Sequence, residues 1–387
     1  MTNESNDNRR TFLKSSLGSA AGMLLIPQLP VIATPIAAPA IIKSRAEAYL
    51  APRLKFAVIG MNHGHIYGQV EAVKRGGGEL VAFYAKEPDL AANFGKRYPD
   101  AKLVRNEDEI LQDKSIQLVL SSGIPNERAP LGIRVMKAGK DYMADKPGIT
   151  TLKQLAEVRK VQKDTKQIYS IMYSERMENR ATVKAGELVQ AGAIGKVVQT
   201  IGLGPHRTSL SSRPEWFFDK EKFGGIICDI ASHQFDQFLF FTNSTSGEIL
   251  ASQVGNVNHH QYPKFEDFGD AMVSGNGGSG YIRVDWFTPD GLKSWGDGRL
   301  TILGTEGFIE IRKNVDIGGR DGGNHLFLVD NKETKHVDCS QTDLPYGRLL
   351  VDDVLNRTET AMSQAHCFLA TELALKAQAK ARKVTNG

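Results

Sequence analysis

Along the first half of the chain, short unbroken apolar blocks that end at glycine or polar residues alternate with amphipathic stretches. Leu54 to Gly60 is the first block. A helical period then runs from His65 to Lys74 and stops at Gly76-Gly77-Gly78. Glu79 to Ala85 reads as the next strand, and Pro88-Asp89 open a helix that ends near Tyr98-Pro99. Ile116 to Ser121 is another strand, Arg128 to Ala138 is helical, and Gly139 caps it. Tyr142 to Ala144 is a short buried strand, stopped at Pro147, which has no N–H for a ladder. Leu152 to Lys163 is amphipathic, and Ile168 to Tyr173 closes the series. Strands alternating with helices at this spacing predict an α/β fold, a doubly wound parallel sheet of the Rossmann dinucleotide-binding kind, over residues 53–174.

The pattern then changes. A helix, Ala181 to Ala191, leads through Gly192 and Gly195 into a strand from Val197 to Leu203. Alternating strands follow near Ala251–Asn258, Asp270–Ser274, Tyr281–Trp286, Leu300–Leu303, Phe308–Ile311 and Leu326–Val329. Arg357 to Ala381 reads as one long amphipathic packing helix. Residues 175–387 thus form a second, α+β domain.

The front of the chain follows other rules. Asn8-Arg9-Arg10-Thr11-Phe12-Leu13-Lys14, an apolar run from Leu17 to Ile26, and Ala38-Pro39-Ala40 resemble a twin-arginine export signal with its cleavage pattern. Pro27, Pro30, Pro35 and Pro39 interrupt the segment, so it does not read as a spanning helix. Residues 1–40 are therefore expected to be removed, 41–52 to be a linker, and the mature protein to be periplasmic with no membrane attachment. This route, by resemblance, moves folded proteins, which suits a chain that must trap a cytoplasmic dinucleotide before export.

Composition adds exclusions. The formal charge of +4 is unclustered, which gives no case for nucleic acid. Cys228, Cys339 and Cys367 are odd in number and far apart, so neither a disulfide framework nor a metal cluster is expected.

The candidate chemistry begins at Gly60-Met61-Asn62-His63-Gly64-His65, where a dinucleotide fingerprint would stand. Gly60 matches its first glycine. Asn62 occupies the second position, where its tolerance of left-handed backbone fits. His65 occupies the third, and Gly64 is expected to share the packing role. The two histidines have no carboxylate or Cys beside them, so no metal is expected and they read as anion-facing or packing residues. After the second strand, Lys86 suits a 2′-phosphate and Glu87 suits ribose hydroxyls, and a pair of solvated loop charges is the plain alternative. His259 and His260 are adjacent on a strand and point to opposite faces, so they do not share a metal.

Two further motifs carry a resemblance. Asp145-Lys146-Pro147 is similar to the Glu-Lys-Pro of the Gfo/Idh/MocA family of sugar oxidoreductases, with Asp145 in place of Glu. Gly224-Gly225 followed by Asp229 and His233 resembles that family's Gly-Gly…Asp-x-x-x-His. Asp229, His233 and Asp236 are spaced to share one side of a helix. The resemblance runs from about Leu54 to the C-terminus. It implies an open, mostly antiparallel sheet in the second domain, whose face is a natural dimer surface in a homo-oligomer. It implies NAD or NADP, tightly bound, against Gly60, Asn62, His63, Gly64, His65, Lys86, Glu87, Ser122, Pro125, Asn126, Asp145 and Lys146. It implies His233 as base, Lys146 as the cation holding the reacting oxygen and Asp229 as substrate binder. Arg176, His206, Arg207 and Trp216, near Arg213, fall where the family's substrate loops lie. The reaction implied is hydride transfer between a carbohydrate hydroxyl and nicotinamide. An NAD-dependent glycoside hydrolase using transient ring oxidation, and a non-catalytic sugar-binding protein, are the alternatives.

Overall fold

The computed structural model describes residues 51–384. The export signal and most of the expected linker lie outside the described residues.

The first half runs β1 (Leu54–Ile59), α1 (His65–Arg75), β2 (Gly78–Tyr84), α2 (Pro88–Arg97), β3 (Lys102–Leu103) and α3 (Glu107–Gln112). It continues with β4 (Ile116–Ser121), α4 (Pro125–Lys137), β5 (Asp141–Asp145), α5 (Leu152–Thr165) and β6 (Tyr169–Met172). The strands form one parallel sheet in the order β3-β2-β1-β4-β5-β6. Strand order reverses between β1 and β4, and in open sheets of this kind ligands bind at the C-terminal edge of that reversal. Helix α4 starts three residues earlier than the pattern predicts, because Pro125 presets the first helical φ and has no N–H to leave unpaired.

The second half runs α6 (Ser174–Met177), α7 (Arg180–Gln190), β7 (Val197–Pro205) and α8 (Lys220–Phe223). A π-helical turn, Ile227–Ala231, then leads into α9 (Ser232–Thr242). Next come β8 (Gly247–Gly255), β9 (Phe268–Gly275), β10 (Ser279–Asp285), β11 (Arg299–Gly304), β12 (Gly307–Arg312), β13 (His325–Asp330) and β14 (Thr334–Val337). Helices α10 (Tyr346–Asn356) and α11 (Gln364–Lys380) and strand β15 (Arg382–Lys383) finish the fold. The second sheet has the order β14-β13-β12-β11-β7-β10-β9-β8-β15. It is antiparallel except where β7 meets β10 and β8 meets β15.

The single C-terminal helix read from the pattern is two helices. Arg357 adopts a left-handed φ of 59° and ends α10. The Asp353 carboxylate then accepts bonds from Thr358 Oγ1 at 2.6 Å, Thr360 N at 2.7 Å and Ala361 N at 2.8 Å. Such local side-chain bonds offer the backbone an alternative to the helix.

The larger of two hydrophobic clusters among the described residues runs through both halves, and the smaller lies under α7 and β11 to β13. Phe56, Tyr169, Ile230 and Leu373 belong to the same buried cluster. Helix α11 packs on β8 and α9 of the second half and on α5 and β6 of the first. Tyr169 N donates to Gln364 Oε1 at 2.9 Å, and Arg159 pairs with Glu372 at 2.6 Å across that seam. The other face of the large sheet leaves Val198, Ile201, Leu250, Met272, Leu303 and Phe308 exposed. No helix among the described residues is long and apolar enough to cross a membrane.

Candidate active site

The turn after β1 is pinned from both sides. Gly60 N donates to Tyr84 O at 2.9 Å, Ser122 N to Gly60 O at 3.0 Å, and His63 N to Ser122 O at 3.0 Å. Gly60 has φ +78°, and a Cβ there would stand 3.1 Å from the Gly123 Cα. Strain and close approach together require glycine. The rest of the turn departs from expectation. Asn62 is not among the residues with left-handed backbone. Its Nδ2 donates to Glu87 Oε1 at 2.8 Å instead. A Cβ on Gly64 would meet nothing within 4 Å, so Gly64 takes no packing role. Below the turn lies a cavity of about 240 Å³ whose lining includes Gly60, Asn62, Tyr84, Glu87, Ser121 and Asn126. Lys86 reaches across its edge to Glu127 at 3.0 Å.

Asp145, at the end of β5, is a hub. Its carboxylate accepts from Ser122 Oγ at 3.1 Å and Lys146 N at 2.8 Å. His65 Nδ1 stands 3.0 Å from it, His63 Nδ1 3.4 Å and Arg128 Nη2 3.3 Å. Burial opposes ionisation, but His65 and Arg128 outweigh it and hold the carboxyl well below its usual range. Burial pushes His63 down to about 4. The expectation that no carboxylate accompanies the two histidines is thus corrected. Asp145 stands 80 residues along the chain from His65, and the parallel sheet brings the two together. Arg128 is fully buried and went unnoticed in the sequence, where it looks like a helix-surface residue. Its Nε donates to Gly123 O at 2.7 Å and its Nη1 to Lys146 O at 2.6 Å, locking the β4 loop to the end of β5.

Lys146 Nζ donates to Asp229 Oδ1 at 2.9 Å. Burial opposes ionisation of Asp229, and Lys146 outweighs it to lower the carboxyl. Asp229 sits in the π-helical turn, a distortion that recurs at functional sites. The double glycine before it has a specific cause. Gly225 has φ +93°, and a Cβ there would lie 2.4 Å from Gln378. Gln378 Oε1 instead accepts Ile227 N at 3.0 Å and Cys228 N at 3.3 Å, capping the helix start.

His233 follows four residues after Asp229 and is buried, with Nδ1 lacking a hydrogen-bond partner. Burial pushes it down to about 3; Glu175 opposes the shift, and Lys146 and Lys313 add to it. Asp236 does not share this side. It binds Arg176 Nε at 2.6 Å and Nη2 at 2.8 Å, and His366 Nε2 at 2.8 Å. Arg176 is therefore committed to a buried carboxylate and does not line the cleft, contrary to the substrate role expected of it. An ideal α-helix returns to within about 20° after seven residues, but the π-helical turn at Ile227–Ala231 breaks that period between Asp229 and Asp236.

Above Lys146 and Asp229 opens a cleft of about 290 Å³ whose walls include His206, Arg207, Arg213, Trp216, Trp286 and Trp295. Pro125, His63 and His65 line its other side, so the pinned turn and the cleft meet. The His206 ring lies 4.6 Å from Trp295 and 5.3 Å from Trp286. Burial pushes His206 down to about 4. Arg207 Nη2 is spent on the carbonyls of Pro289 at 2.9 Å and Leu292 at 2.6 Å. Rings beside polar groups suit a ligand with one apolar face and many hydroxyls. Trp286, Trp295, Glu175 and Lys313 went unnoticed because no local motif marks them. His259 is buried on Asp267 at 2.8 Å while His260 is exposed; both lie in the turn after β8 and not on the strand expected of them, which ends at Gly255.

A glycine turn at the reversal edge of a parallel sheet, beside a cleft with a buried Lys–Asp pair, is the layout of a nucleotide-binding fold facing a candidate site. The chain belongs to the Gfo/Idh/MocA oxidoreductase family: residues 54–173 match its "oxidoreductase family, NAD-binding Rossmann fold" profile and residues 182–310 its "GFO/IDH/MocA C-terminal domain" profile. A solved structure from Erwinia carotovora atroseptica, described as an oxidoreductase, is 43% identical, with TM-score 0.84 over 86% of this chain and 100% of that one. Levoglucosan dehydrogenase with NADH and levoglucosan is 17% identical, with TM-score 0.71 over 84% of this chain and 97% of that one, a likeness of fold alone. Myo-inositol 2-dehydrogenase of Thermotoga maritima is 27% identical over 39% of this chain and 43% of its own length. The chain spans about half the length, or less, of the curated relatives it matches.

Proposed function

We propose that this protein moves hydride between a sugar or cyclitol hydroxyl carbon and a tightly held nicotinamide dinucleotide. The carrying observation is the buried Lys146–Asp229 pair, at 2.9 Å, beneath an aromatic cleft that adjoins the pinned Gly60 turn. The residues present fit the dinucleotide. A cradle that a Cβ at Gly60 would fill lies on the reversal edge, and Asn62 holds the Glu87 carboxylate over the cavity beneath it. Gly60, Asn62, Glu87, Ser122 and Asn126 would hold it, and when bound it supplies the hydride acceptor.

The chain's own groups handle the proton and the charge. Lys146 holds the reacting oxygen and stabilises its developing negative charge. His233, neutral at physiological pH because burial pushes it down, takes the hydroxyl proton. Asp229 fixes Lys146 and accepts from a neighbouring hydroxyl. Trp216, Trp286 and Trp295 hold the apolar face of the ring. Curated relatives named for myo-inositol and D-xylose support this substrate class.

Denaturing the purified protein and analysing the supernatant is expected to release one nicotinamide dinucleotide per chain. An extract without nicotinamide, together with no binding of added NAD or NADP, would leave only a sugar-binding protein. Sugars and cyclitols that change nicotinamide absorbance support the dehydrogenase. Aryl glycosides cleaved without net change would move the assignment to the hydrolase. The exposed apolar row on the large sheet supports a homo-oligomer, which light scattering on the same sample measures.

Export through Arg9 and Arg10 belongs to the same proposal. Replacing both with lysine is expected to abolish periplasmic accumulation on fractionation, and unchanged accumulation would remove the signal assignment.

A further inference from the structure

Behind His233 lies a second charged pair that the reaction above does not use. Glu175, on α6, and Lys313, directly after β12, are joined by an ion pair between elements far apart in the chain. The Lys313 side chain is 2% exposed and that of Glu175 10%. The pair is fastened to the helix that carries His233. Gln234 Nε2 donates to Glu175 Oε2 at 2.9 Å, and Lys313 Nζ to Gln237 Oε1 at 2.8 Å. Gln237 Nε2 donates to the His233 carbonyl at 2.9 Å and lies 3.4 Å from Glu175 Oε2. Every one of these bonds to Glu175 falls on Oε2.

The groups that face His233 come from several elements. They are Glu175 on α6, Lys146 after β5, Lys313 after β12 and His65 on α1, with the Tyr173 ring edge-on and its centroid 6.2 Å from that of the imidazole. Glu175 is the anion of this set. Burial opposes its ionisation, but Lys313 and His233 outweigh that and hold it down to about 2, so it stays charged.

We propose that Glu175 is a positioning residue for His233: its carboxylate, anchored by Lys313, Gln234 and Gln237, supplies the negative charge against which His233 takes up the substrate proton. The catalytic half of this rests on His233 as the proton acceptor; the electrostatic half does not. When neutral His233 accepts the hydroxyl proton it becomes an imidazolium in a buried place. Lys146 and Lys313 both oppose that charge, and Glu175 offsets them. Lys313 in turn keeps Glu175 ionised and limits how strongly it attracts the proton.

The test compares two variants that differ only in the carboxylate, K313M and E175Q/K313M, by NMR titration of the His233 imidazole. K313M is expected to raise the His233 midpoint, and the double variant to bring it back down by about one pH unit. Thermal unfolding of both checks that the fold is kept. Equal midpoints in the two variants would overturn the proposal and leave the pair as a structural tie between α6, α9 and the end of β12. With a substrate in hand, E175Q alone is expected to lower kcat by about tenfold or more while cofactor content stays unchanged. Midpoints that differ as expected while His233→Asn keeps full turnover would overturn the catalytic half and, separately, the assignment of His233 in the reaction.

Discussion

Replacing Lys146 with alanine is expected to slow hydride transfer by about 10²- to 10³-fold, the loss typical of one preorganised donor to a developing oxyanion. His233→Asn is expected to cost about 10²- to 10⁴-fold as a lost general base. Lys146→Arg does not rescue, because a planar fork cannot stand in for a compact ammonium that must serve both one reacting oxygen and Asp229 at 2.9 Å. Cofactor content remains intact in each variant, since the Gly60 turn is held by backbone bonds to Tyr84 and Ser122. Single-turnover measurements of nicotinamide absorbance read the step directly. Full turnover in both variants would mean the Lys–Asp pair is structural and the reaction lies elsewhere.

Acidification from pH 7 to 5 is expected to remove about 4 kcal/mol of stability from the dinucleotide-free protein. His63 and His206 sit near 4 and His233 near 3 in the folded chain, in each case chiefly through burial. Unfolded, each returns to about 6.5. Below that value the unfolded chain binds protons that the folded chain refuses, so stability falls as pH falls through the window from about 6.5 to 4. Full contributions would sum to about 6 kcal/mol by pH 5, and the partial exposure of His63 and His206 reduces that. Urea melts at the two pH values measure the difference. Equal stability at both would show that these imidazoles are solvated. His206→Gln is expected to flatten the slope by about one proton's share.

Much of this was legible along the chain, and the reasons are local. The β1–Gly60–α1 unit announces itself because a buried strand, a strained turn and a helix start each leave a mark within a dozen residues. Lys146 and Asp229 were legible for a different reason: two short motifs match a family pattern, and the fold then brings them to 2.9 Å. What failed needed long-range information. The Asp145–His63–His65 cluster joins residues that only the parallel sheet makes neighbours. Arg176 has the composition of a substrate residue, and its commitment to Asp236 depends on how α6 lies against α9. Arg128 looks like any polar helix residue, yet it is buried and satisfied by carbonyls from two loops. The break at Arg357 was hidden because helical periodicity resumes on its far side, and the competing Asp353 bonds are made by side chains that periodicity does not weigh.

Helix α11 has a consequence for the order of events during synthesis. It is made after every element it joins, yet it fills the seam between α5, β6, α9 and β8. It also carries Gln378, which caps the helix start just ahead of Asp229. N-terminal segments emerge first from the ribosome and can begin to collapse early. The first sheet can therefore form its strands on the nascent chain while Tyr169 and Phe56 still lack part of their cover. The turn that presents Asp229 stays uncapped until α11 has emerged. Assembly of this edge thus waits for a segment made 150 residues after Cys228, the residue beside Asp229.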